Sequence, residues 1–475
     1  MTISHSIPTT TRRPMRAYEF NVASSQRGLV PIDRNLALVG VFDSSGSASA
    51  GTIYSVSEES KADSLFGVGS ELALMCRWAL KGFRAYGKSA NLYAIGIADP
   101  AGTAKTETLT VTVTTATAGD VVIEIAGRTI RAGVSAGDAN TAIAEAIESA
   151  IDEQVAELPV TAGVSTNVVT CTAVHTGVVG NDVTYRVVSQ PDGVTVTPAV
   201  GVAGVGAVDI TASLDLLIDR NYHVIAIGNH TTVDTAFLAA HLDDMWDAGE
   251  KKWRHAVLAE TGSLATAQLL ADDVNTDYRI SVISAEGFKN TDSEIAAYCA
   301  AMLAAEVDPA QPFNHQELRD LYMPLEADVP TNAEIETGIA GGLTMLTVND
   351  FKTRAKMVRY VTTKTIHAGV AFWTMQDVTI PRSMAHAAEQ VDIALGIKFP
   401  NVKKTNRNSG AVRTTVLTTL KKLEEAEIVQ NVDDHTDELI AETDATVATR
   451  LNVAIPVSVV SPLNQVIGVV GLIVE

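Results

Sequence analysis

The sequence predicts an α/β core domain with a mostly parallel sheet, an inserted small α+β domain, and an α+β C-terminal domain with extended terminal arms. Three observations carry this. Strand-length apolar runs alternate with helical patterns on both sides of a Thr- and Val-rich stretch, as βαβ units and a parallel sheet require. That stretch is bounded by AGT on one side and GVAGVG on the other, and glycine-rich junctions at both ends mark one domain set into another. From Thr347 the texture changes again. The boundaries that follow are 1–34 for an N-terminal arm, 35–100 plus 208–345 for the discontinuous core domain and 101–207 for the insert. A C-terminal domain takes 346–460 and a C-terminal arm strand takes 461–475.

Residues 1–34 hold no sustained period; Pro8, Pro14 and Pro31 interrupt them and Arg12, Arg13 and Arg16 make them basic, which suits an arm that orders on a partner or a loose terminus. Residues 36–42 (LALVGVF) form a strand. A helix lies within 64–86, where Leu72, Met75, Cys76 and Ala79 recur at helical spacing and Ser70 can cap. Residues 91–98 (NLYAIGIA) form the next strand. In the insert, 108–114 alternates strictly between apolar residues and Thr, the pattern of a half-exposed strand, and 121–125 repeats it. Asp138 then opens a helix with Ile143, Ile147 and Ile151 on one face. Strands follow at 168–174 and 183–188, and the segment ends with Val194 and Val196 near Pro198.

After the insert the earlier style resumes. Helical patterns at 214–219, 237–246, 264–274 and 294–306 alternate with strands at 222–227, 256–259 and 279–284. Residues 351–363 read as a basic strand, 378–395 and 412–427 as helices, and 451–460 as a partly alternating strand. The last ten residues, VIGVVGLIVE, are a bare apolar strand with no charge until Glu475. An exposed apolar strand at a chain end is an aggregation hazard, and its backbone needs partners. It pairs either inside its own sheet or with another subunit by strand addition.

The whole-chain quantities mainly exclude. The chain has 475 residues, 46% hydrophobic, enough for several cored domains. A formal charge of −21 argues against a nucleic-acid-binding surface, which needs clustered Lys and Arg. No apolar run has the length to cross a bilayer, and residues 1–11 lack a signal-peptide core, so the expectation is a soluble protein kept in a cytoplasm. Cys76, Cys171 and Cys299 form no CxxC pair, and their low, odd count suits a reducing compartment; Cys76 and Cys299, in apolar helical patterns, read as small buried side chains.

Candidate chemistry is sparse. FGVGS at 66–70 lacks the Lys-Ser/Thr of a phosphate loop and reads as a tight strand-to-helix turn. GVAGVG at 201–206 reads as a hinge. Asp433, Asp434, His435 and Asp437 could approach a divalent ion, yet no EF-hand glycine accompanies them, and a solvated acidic turn is the simpler reading. No GxSxG elbow is present. The expectation is no catalytic residue, no metal and no cofactor.

Three stretches resemble a known family. Residues 137–187 (GDANTAIAEAIESAIDEQVAELPVTAGVSTNVVTCTAVHTGVVGNDVTYRV) resemble the inserted domain of tail sheath proteins from Mu-like contractile-tailed phages. Residues 65–87 resemble the first helix region of sheath proteins, and 451–475 resemble the closing strands. The resemblance covers nearly the whole chain in the right order. It implies a non-enzymatic subunit that polymerises as stacked rings around a tail tube, contracts, and drives the tube through a host envelope. It further implies partners in further copies of the chain, the tail tube protein, and baseplate and tail terminator proteins, with no nucleic acid and no membrane insertion. The place would be the virion tail, assembled in host cytoplasm.

The resemblance also gives residues roles. Terminal arms would complete a small sheet in a neighbour, so Val466, Ile467, Val469, Val470, Leu472, Ile473 and Val474 become candidates for strand donation. The domain formed by both chain ends would face the tube and the insert would face outward. Arg413, Lys421 and Lys422 on helix 412–427 become candidates for tube contact, although interspersed Lys and Glu also suit an ordinary solvated helix. Two alternatives stand beside the phage sheath: the sheath of a contractile bacteriocin or related injection system, and an α/β enzyme working at the strand ends of its sheet.

Overall fold

The computed structural model describes residues 29–30, 32–274, 277–447 and 449–470. The chain opens with β1 (Asn35–Val41), β2 (Ile53–Ser55), α1 (Glu59–Phe66), α2 (Glu71–Tyr86) and β3 (Asn91–Ile97). The insert contributes β4 (Thr106–Val113), β5 (Gly119–Ile125), β6 (Arg128–Val134), α3 (Asn140–Asp152), β7 (Val160–Ser165), β8 (Val168–Ala173), β9 (Tyr185–Ser189) and β10 (Val194–Val202). The core resumes with α4 (Thr211–Asp215), β11 (Val224–Ile227), α5 (Thr232–Trp246), β12 (His255–Glu260), α6 (Leu264–Asp273), β13 (Ile280–Ser284) and α7 (Asp292–Ala305). Then come β14 (Glu317–Leu318), α8 (Asn332–Ala340), β15 (Leu343–Val348), β16 (Ala355–Met357), β17 (Ile366–His367) and β18 (Val370–Ala371). The chain closes with α9 (Thr379–Lys398), α10 (Asn406–Glu425), β19 (Ile440–Thr443) and β20 (Leu451–Ala454).

The large sheet runs β14-β16-β15-β13-β12-β11-β1-β3-β2. Its interior pairs are parallel, and antiparallel pairs occur only toward the two edges. Leu36 pairs with Val224 and Val39 with Ile227, so strands on opposite sides of the insert are neighbours and the core domain is discontinuous. Successive residues of β1 enter opposite cores: Leu36 and Leu38 pack with Trp78 and Tyr298, whereas Ala37 and Val39 pack with Leu238 and Leu242. A parallel sheet covered on both faces needs such uninterrupted apolar strands, and every residue of β13 is buried.

Local chemistry fixes the helices. Ser70 Oγ accepts from the Ala73 N–H at 3.2 Å and starts α2. Thr231 with Asp234, and Thr331 with Glu334, form reciprocal caps on α5 and α8. Gly67 and Gly69 have φ of 86° and 74°, and they turn α1 into α2. The FGVGS stretch is therefore a helix-to-helix turn, because α1 precedes it where the sequence suggested a strand.

In the insert, β10-β4-β8-β7 and β6-β5-β9 enclose a core with α3, where Ile143, Ile147 and Ile151 are buried as their spacing predicted. Asp138 does not cap this helix; its carboxylate accepts from the Ser135 N–H at 2.6 Å, in the turn before α3. Nor does Pro198 end the last strand. It pairs opposite Leu109 within β10, an edge strand, where a missing N–H is tolerated.

The two glycine-rich junctions are stitched together. Thr103 and Val205 exchange N–H···O bonds at 3.0 and 3.1 Å, and the Val178 N–H donates to Gly206 O at 2.9 Å. A Cβ on Gly102 would lie 1.7 Å from Val205 O, and one on Gly204 2.1 Å from Gly177 O. GVAGVG is a clasp and not the hinge its composition suggested: its glycines allow close backbone approach.

Ionised side chains tie the insert to the core. Arg128 donates to both Glu294 oxygens, at 2.6 and 3.2 Å, and both side chains are buried. The guanidinium also lies 5.8 Å from the Trp78 ring centroid and 5.3 Å from that of Tyr322. His175 Nε2 accepts from the Glu71 N–H at 2.8 Å while its Nδ1 meets Asp99 at 2.5 Å. The Glu71 carboxylate accepts from the Val41 and Asn229 N–H groups, each at 2.8 Å, at the C-terminal ends of β1 and β11. Burial raises its pKa. Asp182 of the insert accepts from the Asp292 N–H at 2.9 Å. Burial and the neighbouring Asp292 carboxylate push Asp182 well up, and burial raises Asp292 to about 6.

The chain divides into two compact units, with the division inside α9 at Ala385/His386. Sequence texture changes earlier, at Thr347, but β15 and β16 belong to the large sheet. Of 351–363, only β16 is strand; Thr362 and Thr363 are buried and bonded to Met375 O and to Val274 O. The smaller unit packs α9 residues Ala387 and Val391 against Val416, Leu420 and Leu423 of α10. Leu29 joins that cluster, and Val30 exchanges bonds with the Gln390 side chain at 3.2 and 2.8 Å. The rest of the expected N-terminal arm, apart from Ile32, Asp33 and Arg34, lies outside the described residues.

Candidate assembly surface

The smaller unit carries a sheet of only two strands. In β19 and β20, Ile440 faces Ala454 and Thr443 faces Leu451, antiparallel. Neither strand has a second partner among the described residues. A lone hairpin is marginal in water, and each outer edge presents unpaired N–H and C=O groups. Ile440 is 49% exposed. Only half of this hairpin is legible in the sequence: 451–460 alternates in part, but IAET at 440–443 is too short and polar to stand out.

Beyond β20 the chain lies alongside the end of α10. The Gln430 N–H donates to Ser458 O at 2.8 Å and the Val460 N–H to Ile428 O at 3.2 Å, around a Val429–Val459 bridge. Within the larger unit, Asn314 Nδ2 donates to Asn464 Oδ1 at 2.8 Å. Val466, Ile467, Val469 and Val470 then have no regular structure and no hydrogen bond among the described residues. Val469 and Val470 are each 97% exposed. Thus 466–470 forms no strand within the large sheet. Leu472, Ile473 and Val474, the remaining strand-donation candidates, lie outside the described residues.

The three cations expected on the tube-facing helix are placed differently from one another. Arg413 points its guanidinium inward: Nε donates to Leu439 O at 2.7 Å and Nη2 to Thr436 O at 2.6 Å. It ties the segment before β19 to α10. Lys421 is exposed and pairs with Asp433 at 2.6 Å, which raises its pKa through that hydrogen bond. Lys422 is half-buried in the last turn of α10, where a cation complements the helix dipole. The NVDDHTDE turn engages itself and α10: Asp433 holds Lys421, and His435 Nδ1 meets Glu438 at 2.9 Å. Among the described residues no cluster of three or more His, Cys, Asp or Glu is positioned to hold a metal ion. All three cysteines are buried; burial raises their thiol pKa values, Cys171 to about 12.

Comparison with known proteins points in one direction. Residues 373–472, which include α10, the hairpin and the exposed tail, match the phage tail sheath C-terminal domain. The fold is shared with the crystal structures of sheath tail proteins from Desulfitobacterium hafniense (TM-score 0.51, 14% identity, 91% of this chain and 93% of that one) and Listeria innocua (0.52, 14%, 89% and 91%). The chain is thus similar to tail sheath proteins, which are structural and not enzymes, in its C-terminal domain and in its fold. In particular, it is 24% identical over 482 residues to the tail sheath protein of the Mu-like prophage FluMu of Haemophilus influenzae, covering 95% of this chain and 96% of that protein. The sheath of an extracellular contractile injection system in its contracted state has the same fold (TM-score 0.50, 10% identity, 98% of each chain).

Proposed function

We propose that this chain is the sheath subunit of a contractile phage tail, polymerising around a tail tube and contracting to drive it through the host envelope. The observation that carries the assembly half of this reading is a complementary pair of unmet needs. A two-stranded sheet has open edges. An apolar tail at 466–470 has exposed side chains and unbonded backbone. Donating the tail of one subunit to the hairpin of another meets both needs through main-chain hydrogen bonds, which persist while the bodies rotate as rigid units.

The exposed face of α10 is the surface offered to the tube, with Lys421 and Lys422 as its charges. Arg413 builds that surface from beneath. Exposed ion pairs are weak and salt-screened, as a sliding contact requires. Partners are then other copies of the chain, the tail tube, and the baseplate and terminator proteins at the ends, within the virion tail. Contraction draws on free energy stored at assembly and needs no nucleotide. The test is negative-stain electron microscopy of concentrated full-length protein, alone and with its tube protein. Hollow, cross-striated cylinders are expected; discrete particles in both samples would refute the proposal.

A further inference from the structure

A cavity of about 30 Å³ opens at the N-terminal ends of β1, β11 and β12, entirely within the larger unit. Arg34 and His223 immediately precede β1 and β11, Arg254 precedes β12, and His255 begins it. Arg382 approaches from α9, and Trp246 and Trp253 supply flat apolar walls. No carboxylate lines the cavity, in a chain of net charge −21. Buried guanidinium groups ordinarily meet a carboxylate. Here they do not. Arg254 is 0% exposed; it bonds to the carbonyls of Leu217 and Arg220 and to His241 Nε2, and its Nε has no hydrogen-bond partner. Arg382 Nη2 caps the end of α7 through Leu303 O and Glu306 O, at 3.1 and 2.8 Å, while its buried Nη1 has no hydrogen-bond partner.

Burial dominates the titration of the surrounding groups, and neighbouring arginines add to it. Burial, then Arg382, holds His255 down at about 3, and burial, then Arg254, holds His241 at about 4. Both imidazoles are neutral at pH 7. Burial lowers Arg254 and Arg382 to about 10, the latter helped by Arg34. Two acidic side chains act on these groups, and each is already paired: Glu250, near Arg254, with Lys252 at 2.8 Å, and Glu306, near Arg382, with Lys88 at 2.6 Å and Tyr86 at 2.5 Å.

We propose that this cavity binds a small oxyanion from solution, held by the free edges of the Arg254 and Arg382 guanidinium groups. Its volume admits about two waters, the bulk of a carboxylate or a phosphate head. Each guanidinium has one unpartnered nitrogen, Arg254 Nε and Arg382 Nη1, and charge-assisted bonds from such donors to an oxyanion are strong. Binding joins three strand starts to α7 and α9, so it stabilises the larger unit.

The test uses the full-length subunit in its dispersed form, with inorganic phosphate as probe against chloride at equal ionic strength and pH 7. Thermal unfolding should rise by about 2 °C in phosphate. Arg382→Gln should lose that increment. Because this variant also loses a cap on α7, Ala385→Glu serves beside it: it keeps every arginine and tethers a carboxylate at the cavity, and it too should lose the increment. Equal midpoints in phosphate and chloride overturn the proposal. So does an increment that survives in Ala385→Glu, which marks general exclusion of phosphate from the protein surface.

Discussion

The junction of the insert with the core and the C-terminal hairpin with its tail sit at opposite extremes of satisfaction. At the junction, a bidentate buried ion pair, a histidine bonded on both nitrogens and two clasped glycine segments meet most needs, although Arg128 Nε and Asp182 Oδ1 are buried without a hydrogen-bond partner. At the hairpin, two short strands lack further partners and the following apolar segment has none among the described residues. The difference teaches where motion and assembly belong. A junction with buried charges has one good geometry and moves with its body; open edges and bare apolar backbone are completed by another chain.

The contrast breaks most directly at Arg128–Glu294. Arg128→Met or Glu294→Gln alone strands a buried group and should cost about 3–5 kcal/mol in denaturant unfolding. The double change should cost clearly less than either single one, since no charge is left uncompensated; additive losses would contradict this account.

The carboxylates beside that pair sharpen the comparison through pH. The Asp292 pKa rises from 3.8 to about 6 on folding, so between those values the folded state binds more protons than the unfolded one. Its contribution is therefore fully present below about pH 4 and lost as pH rises through 6. The term is about 3 kcal/mol, shared with Asp182. Asp292→Asn should flatten this part of the stability–pH curve, measured by urea unfolding from pH 4 to 7.

Smaller effects are expected in the smaller unit. Arg413→Met removes two bonds to the segment before β19 and should cost about 1–2 kcal/mol, read as a lower denaturation midpoint. Lys421→Ala should leave that midpoint unchanged, because the pair with Asp433 is exposed. Its effect belongs to the tube: weaker cosedimentation with tube protein at low salt, and no difference at high salt.

Much of this architecture was legible because its signals are local. The strict alternation from Thr108 to Thr114 marked β4, and Ser70 announced α2 within a residue. The return of strand–helix alternation after 208 gave the discontinuous core. What failed depends on distance or context. Arg128 and Glu294 are 166 residues apart and carry no mutual signal. Pro198 breaks strands in general, but not at an edge whose N–H side is unpaired. The glycines of 201–206 have the composition of a hinge, and only their closeness to 101–103 and 177 reveals a clasp. Arg413 looked like an outward charge because sequence gives its helix face but not the carbonyls of Thr436 and Leu439. The apolar tail was visible at once, since no side chain in 466–474 carries a polar group.

The most direct test of the central claim is electron microscopy of the full-length protein beside a version lacking residues 466–475, with circular dichroism and unfolding recorded on both. Two equally folded subunits are expected, of which only the full-length one forms cylinders. Normal cylinders from the truncated protein would contradict strand donation as the link between subunits.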